Sequence, residues 1–190
     1  ANSKTLKNGL ALVTTVGSPG ADTSVPTEQA VREALAAVTG KIAQVVITTD
    51  GTANTGTKLI PWDASLPQSN EGTEYAEIAT TITPTNASST LVIDALLMIG
   101  TGNSYNFTAA LFKDSDADAI GVSSAYASSG IIVPLRLRTV VSAGSTSART
   151  YKIRIGPQNT ANIYINRSND VADLFTTALV SSLTITEVLP

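Results

Sequence analysis

The chain has 190 residues, of which 43% are hydrophobic and only 14% are charged, so it can form a core beneath a surface of few charges. Its net charge is -3 and its Lys and Arg residues form no cluster, so we expect no nucleic-acid partner. The absence of His and Cys excludes disulfides, thiolate metal sites and the usual catalytic triads. No apolar run reaches the roughly 18 residues of a membrane helix, so a membrane partner is not expected either.

Residues 1–45 are predicted to form a connector that leads into a short helix. The chain begins at Ala1 instead of Met, from which we expect a piece of a longer precursor. A helix is predicted from Thr27, after Pro26 in the first turn, and ends near Gly40. Apolar residues follow one another there at intervals of 4, 3, 4 and 3, typical of a coiled-coil seam: Val31, Leu35, Val38, Ile42 and Val45.

Two alternatives remain open for this segment. The narrow apolar stripe favours a seam between subunits, but a short amphipathic helix packed on its own domain has a similar pattern. Gly40 interrupts the stripe, so Ile42 and Val45 also fit the strand that follows.

Strand patterns recur along the rest of the chain, separated by Gly, Asn, Asp, Ser and Pro. The predicted strands are Ala43–Thr49, Lys58–Trp62, Glu74–Thr83, Thr90–Ile99, Asn106–Phe112, Ile120–Ser123, Ile131–Val141, Ala148–Ile155, Ile163–Asn166 and Leu179–Val188. No second helix is predicted. This spacing predicts a mainly β protein, an antiparallel β-sandwich or jelly roll formed by residues 46–190.

One predicted strand, Leu91–Ile99, is apolar on both faces. Alternate residues from Leu91 to Ile99 form one apolar face, while Leu96 and Met98 belong to the other, which only Asp94 interrupts. A strand of this kind is buried on both sides. The second face therefore packs either against another subunit or beneath the N-terminal segment.

The alternating acidic run Asp114-Ser115-Asp116-Ala117-Asp118 begins like a calcium-binding loop. The pattern fails at its sixth position, where Ala119 replaces Gly, and at its twelfth, where Ala125 replaces Glu. An acidic turn between two strands is the better interpretation. We expect no metal, no cofactor and no catalytic residue.

Two tyrosines are candidates for binding a ligand. Tyr105 and Tyr126 are each surrounded by small polar residues and are predicted to lie in loops. An aromatic ring offers a flat apolar face with a polar tip, which suits a glycan, and loops on a rigid scaffold commonly carry recognition. The alternative is that both rings pack at the bases of their loops.

Two stretches of the chain resemble bacteriophage structural proteins. The run Pro26-Thr27-Glu28-Gln29-Ala30-Val31 and the Gly- and Pro-containing turn before it resemble a connector of tail-fibre proteins. The region from Ile60-Pro61-Trp62-Asp63 to Thr186-Glu187-Val188 resembles the C-terminal jelly-roll heads of phage fibre-like proteins, which are similar in architecture to tumour-necrosis-factor-like trimers.

This resemblance implies a non-enzymatic component of a phage virion, built as a homotrimer with a stem and a head. Its function would be adhesion to a host-surface glycan or protein; the alternative is a head-fibre or capsid-decoration protein with a structural role. Other virion proteins would bind the N-terminal segment. The predicted trimer interface comprises Val31, Leu35, Val38, Ile42, Leu96 and Met98.

Overall fold

The computed structural model describes residues 41–171 and 174–190. The predicted helix, with Val31, Leu35 and Val38, lies outside these residues. The strands are β1 Ile42–Asp50, β2 Asn54–Gly56, β3 Thr73–Ile82, β4 Thr90–Thr101, β5 Tyr105–Lys113, β6 Gly121–Ala127, β7 Ile132–Ser142, β8 Arg149–Pro157, β9 Ile163–Ile165 and β10 Ser181–Val188. A short turn, Leu174–Thr177, in which Phe175 and Thr176 have left-handed backbone angles, precedes β10. No helix in the described part of the chain is long and apolar enough to span a membrane.

The strands form two antiparallel sheets. Sheet A has six strands in the order β1-β10-β4-β9-β2, with β7 paired to the other edge of β4. Sheet B has four strands in the order β3-β8-β5-β6. Alternate side chains of both sheets point inward and form one core, which includes Ile93 and Leu97 from sheet A and Phe107, Tyr151 and Ile153 from sheet B. The predicted mainly β, antiparallel sandwich is confirmed.

The alternation of residue types explains which face of each strand is buried. In β10 the inward residues Leu183 and Ile185 are fully buried, while the intervening threonines are half-buried on the opposite face. In β4 the residues Leu91, Ile93 and Leu97 are fully buried. One face of β4 therefore lies in the core, as its sequence predicts.

One predicted strand was wrong and one short strand was missed. Residues 58–62 form no strand, although Leu59, Ile60 and Trp62 are apolar, because their backbone crosses sheet B instead of pairing along its edge. The Ile60 N–H donates to the Pro157 carbonyl and the Leu59 carbonyl accepts from the Gly72 N–H. The missed strand β2 is only three residues long and has no apolar pattern.

Candidate functional site

The side of sheet A that points away from the core, here called the outer face, carries exposed apolar side chains. They are Ile42, Val45, Ile47, Leu96 and Val140. The Ile47 side chain is 60% exposed although it lies in the middle of β1. A contiguous exposed apolar patch on a folded protein commonly marks an interface.

The strand register places two of these residues, Val45 and Val140, in one row, with Thr186 and the half-buried Val92 between them. Val45 lies opposite Thr186, which in turn lies opposite Val92, and Val92 lies opposite Val140. Adjacent strands are about 4.8 Å apart, so these four residues form one continuous row across sheet A. The row next to it begins with Ile47 on β1.

Charges of both signs are also present on the outer face. Asp94 lies directly opposite Arg138, yet its carboxylate binds Arg136, the diagonal neighbour on β7. The Arg136 Nε lies 2.9 Å from Asp94 Oδ1 and 3.0 Å from Oδ2, and the guanidinium Nη2 also binds Oδ2. The hydrogen bonds to Asp94 raise the pKa of Arg136 above its ordinary value. The positive charge of Arg136 thus compensates the negative charge of Asp94 on a strand that is otherwise apolar.

The predicted interface residues fall on this face where the structure describes them. Leu96 and Met98 lie on the outer face of β4, with Leu96 exposed and Met98 half-buried. Ile42 and Val45 belong to β1, so they extend a strand and not the predicted helical seam. Their role in a trimer remains a prediction.

On the opposite side of the molecule, residues 57–67 run as a strap across sheet B. Ile60 anchors the strap because it is buried in a small second core with Ala110, Phe112 and Ala119. The strap lies very close to β8 at Gly156, where an added Cβ would stand 2.6 Å from the Ile60 N and 2.7 Å from the Lys58 O. Glycine at this position therefore permits the crossing.

The strap and sheet B border an open cleft of about 300 Å³. Its lining includes Trp62, the hydroxyl-bearing residues Thr108 and Ser124, and Val122. The Trp62 Nε1–H donates to Thr108 Oγ1 at 2.9 Å, and Thr108 Oγ1 lies 2.9 Å from Ser124 Oγ. Sequence reasoning missed this cleft; the only signal for it was the isolated Trp62 in a predicted strand.

The two predicted ligand-binding tyrosines have different environments. Tyr105 lies in β5 instead of a loop and is only 6% exposed, with its hydroxyl bound to the Asn162 carbonyl. Burial raises the pKa of Tyr105 above its ordinary value. Tyr126 also belongs to a strand, β6, but is exposed on the outer side of sheet B, two residues beyond Ser124. The predicted loop positions were therefore wrong, and only Tyr126 offers an open ring.

The acidic run from Asp114 to Asp118 forms the turn between β5 and β6. Its carboxylates have separate partners: Asp114 Oδ1 accepts from the Thr150 N–H at 2.7 Å, Asp116 pairs with Lys113 at 3.1 Å, and Asp118 accepts from Gln68 at 2.6 Å. Within the described residues, no group of three or more acidic side chains is arranged to hold a metal ion.

Fold and surfaces together define an antiparallel β-sandwich domain with an apolar outer face on one sheet and an aromatic cleft on the other. The Pgp3 C-terminal domain family matches residues 63–190, about two thirds of the chain. The chain therefore belongs to the Pgp3 C-terminal domain family. No curated protein matches it.

Three similar solved structures come from viruses, each at 13% identity. The structure of infectious bursal disease virus Gx strain covers 77% of this chain with a TM-score of 0.38, and the VP2 subviral particle of infectious bursal disease virus covers 78% with a TM-score of 0.32. The chain spans only 32% and 42% of those two chains. The match to the Macrobrachium rosenbergii nodavirus P-domain covers 79% of this chain and 96% of the P-domain chain, with a TM-score of 0.26. Such low TM-scores do not bear on function.

Proposed function

We propose that the protein is a non-enzymatic structural component of a bacteriophage particle, a homotrimer whose β-sandwich head contacts the host surface. The N-terminal residues 1–45 attach it to other virion proteins. The resemblance of the connector and head to phage fibre proteins supports this placement. Membership of the Pgp3 C-terminal domain family concerns the head, residues 63–190.

The observation that carries the proposal is the outer face of sheet A. Ile42, Val45 and Ile47 are exposed on β1, which is an edge strand of that sheet. Natural proteins protect the edges of sheets with prolines, charges or short strands, but β1 has nine residues, no Pro and no Lys, and its one charged residue, Asp50, is the last of the strand and bonds to Tyr75. An exposed apolar edge of this length is stable in water when a neighbouring subunit covers it.

A second copy of the same chain is the occupant that fits this face best. The face carries apolar rows together with Asp94, Arg136 and Arg138, so it has both charge signs within one patch. A face of mixed sign can pack around a three-fold axis against the same face of its neighbours without accumulating like charges. Weak contacts of one head with the host would then gain strength from three copies.

The molar mass of the full chain in solution tests this proposal. Sedimentation equilibrium is expected to give about three times the 19.6 kDa chain mass at micromolar concentration. A monomer over the same concentration range would contradict it. That result would favour the other occupant of the face, residues 1–40 of the same chain.

The alternative role is a head-fibre or capsid-decoration protein that binds no host molecule. Its support is the same outer face, which serves assembly in either case. Electron microscopy of virions with a labelled antibody separates the two roles. Label at the tail tip supports adhesion, and label distributed over the capsid supports decoration.

A further inference from the structure

Trp62 is exposed but held in a fixed orientation. Its side chain is 56% exposed, whereas Thr108, which accepts its N–H, is only 2% exposed. The strap is anchored on both sides of the ring, because Ile60 is buried before it and Asp63 forms a turn with Ser65 after it. A ring whose rotamer is already fixed loses little side-chain entropy when a ligand stacks on it.

The polar groups of the cleft suit a ligand rich in hydroxyls. Asp63 Oδ1 accepts from the Ser65 N–H at 2.8 Å and from its hydroxyl at 2.5 Å, while no described residue donates to Asp63 Oδ2. Thr108 Oγ1 accepts from Trp62, and either hydroxyl of the Thr108–Ser124 pair can donate to the other; the pair suits a ligand when Thr108 is the donor. The Ser124 hydroxyl proton is then available to a ligand.

The charge of the cleft selects among such ligands. Asp63 is the only charged residue among those that line it. The hydrogen bonds from Ser65 lower the pKa of the Asp63 carboxyl below its ordinary value, so the group is ionised at neutral pH. A carboxylate here accepts hydroxyl protons and repels an anionic ligand.

Size and geometry agree with a sugar ring. The volume of the cleft, about 300 Å³, is at the lower end of the range of ligand pockets. A pyranose has an apolar face of C–H groups that stacks on an indole and hydroxyls around its edge that bond to carboxylates and serines. Tyr126, exposed on the same side of sheet B, offers a second ring to a longer chain.

We infer that this cleft binds a neutral pyranose unit of a glycan, stacked on Trp62 and hydrogen-bonded to Asp63 and Ser124. The inference rests on the adhesion function proposed above and gives it a ligand class and a site. A peptide that stacks an arginine on Trp62 against Asp63 is the competing occupant. A guanidinium has no acceptor for the Ser124 hydroxyl proton, whereas a sugar hydroxyl accepts it, and this difference favours the sugar.

The chain has a single tryptophan, so its fluorescence reports directly on the cleft. The full chain is titrated with the methyl glycosides of glucose, galactose and N-acetylglucosamine, with methyl glucuronide as the anionic probe and N-acetylarginine amide as the cationic one. We expect a saturable change in emission with at least one neutral glycoside and affinity roughly tenfold lower for the glucuronide. Saturation by the arginine probe alone, or by no probe, would overturn the inference.

Variants test the assigned contacts by calorimetry, which does not depend on the indole. Trp62→Ala and Asp63→Asn are each expected to weaken binding of the best glycoside by about tenfold or more. Trp62→Phe retains a stacking ring and is expected to bind at intermediate strength. The matched control is Phe175→Ala, which removes another exposed aromatic ring outside the cleft. Wild-type binding by Trp62→Ala, with a folded circular dichroism spectrum, would refute the site.

Molar mass and glycoside binding, measured on the same samples, distinguish the two proposals, because sheet A carries the association face and sheet B carries the cleft. A protein that is trimeric and binds no glycoside contradicts the inference and leaves the assembly proposal intact. A monomer that binds a glycoside through Trp62 contradicts the assembly proposal and supports the cleft.

Discussion

The Tyr75 hydroxyl donates to Asp50 Oδ2 at 2.6 Å and thereby joins the two sheets at one end of the sandwich. It also accepts from Asn166 Nδ2 at 2.7 Å, while Asn166 Oδ1 accepts from the Ser181 hydroxyl at 2.7 Å. Ser181 in turn accepts from the Met98 N–H at 3.0 Å. Every donor in this chain of bonds has an acceptor, as a buried polar network requires.

The first prediction concerns Asn166, the centre of this network. Asn166→Ala leaves the Tyr75 hydroxyl without its donor and the Ser181 hydroxyl without its acceptor, and it puts alanine at a φ of 56° that asparagine tolerates better. We expect the free energy of unfolding to fall by about 3 kcal/mol. Urea denaturation at fixed protein concentration measures it.

The matched control is Asn162→Ala. Asn162 is exposed and its amide makes only a 3.4 Å bond to the Tyr164 hydroxyl. Its loss is expected to change stability by less than about 0.5 kcal/mol. Equal effects of the two substitutions would show that the network does not stabilise the fold.

The second prediction concerns acid stability and Glu187, which is fully buried in β10. Burial acts to raise the pKa of Glu187, but hydrogen bonds outweigh it and lower the pKa from 4.5 to about 2. The donors are Gln44 at 2.7 Å, the Thr85 N–H and hydroxyl at 2.8 and 2.9 Å, and the Asn86 N–H at 3.2 Å. The Asp50 carboxyl contributes to acid sensitivity in the same way. Partial burial acts to raise its pKa, but the hydrogen bond from Tyr75 helps to lower it below its ordinary value.

The direction of the pH effect follows from these lowered pKa values. Between pH 4.5 and about 2 the unfolded chain binds a proton at Glu187 that the folded protein does not. The stabilisation is therefore complete above pH 4.5 and is lost as the pH falls, by about 3 kcal/mol in total. Glu187→Gln is expected to flatten this dependence, whereas Glu77→Gln, at an exposed carboxylate, should leave it unchanged. Urea denaturation of the wild type and of both variants across this pH range measures the difference.

The sequence predicts the strands well because alternation is a local property of each strand. The two-faced pattern of Leu91–Ile99 indicated both its buried face and the unusual apolar character of the other. The strap was not predictable, since Leu59, Ile60 and Trp62 are an apolar cluster of strand length, and only the close approach of the distant Gly156 shows that this segment crosses a strand. The Asn166 network is equally hidden, because Asn166 follows β9 while its partners come from other strands, and they are joined only by folding.

The third prediction concerns Gly156, where the strap crosses β8. Gly156→Ala places a methyl group within 2.6–2.7 Å of strap backbone atoms that cannot rotate away. We expect a loss of about 1–3 kcal/mol and a shift of Trp62 emission to longer wavelength, because the strap must lift. In the control Gly102→Ala, the nearest atoms lie 3.3 Å or more away and belong to side chains. Wild-type emission from Gly156→Ala would contradict this account of the strap.

The last prediction tests the outer face of sheet A. Ile47→Glu puts a charge on the apolar edge strand and is expected to lower the trimer mass toward that of the monomer. Burial of an unpaired carboxylate in an interface costs several kcal/mol, whereas on a free surface it costs little. Ile131→Glu is the matched control, because Ile131 is 54% exposed, close to the 60% of Ile47, but lies outside the strands. Sedimentation equilibrium compares the two variants.

Spin labels separate association through this face from association through the N-terminal segment alone. The chain has no native cysteine, so Leu96→Cys and Ser124→Cys each give one labelled position, on the outer sides of sheet A and sheet B respectively. If sheet A faces the other copies, distances between Leu96→Cys labels are shorter than those between Ser124→Cys labels. A trimer that survives Ile47→Glu and shows the reverse order of distances would place the interface elsewhere. The exposed valines at the two ends of the row, Val45 and Val140, would then need a different partner.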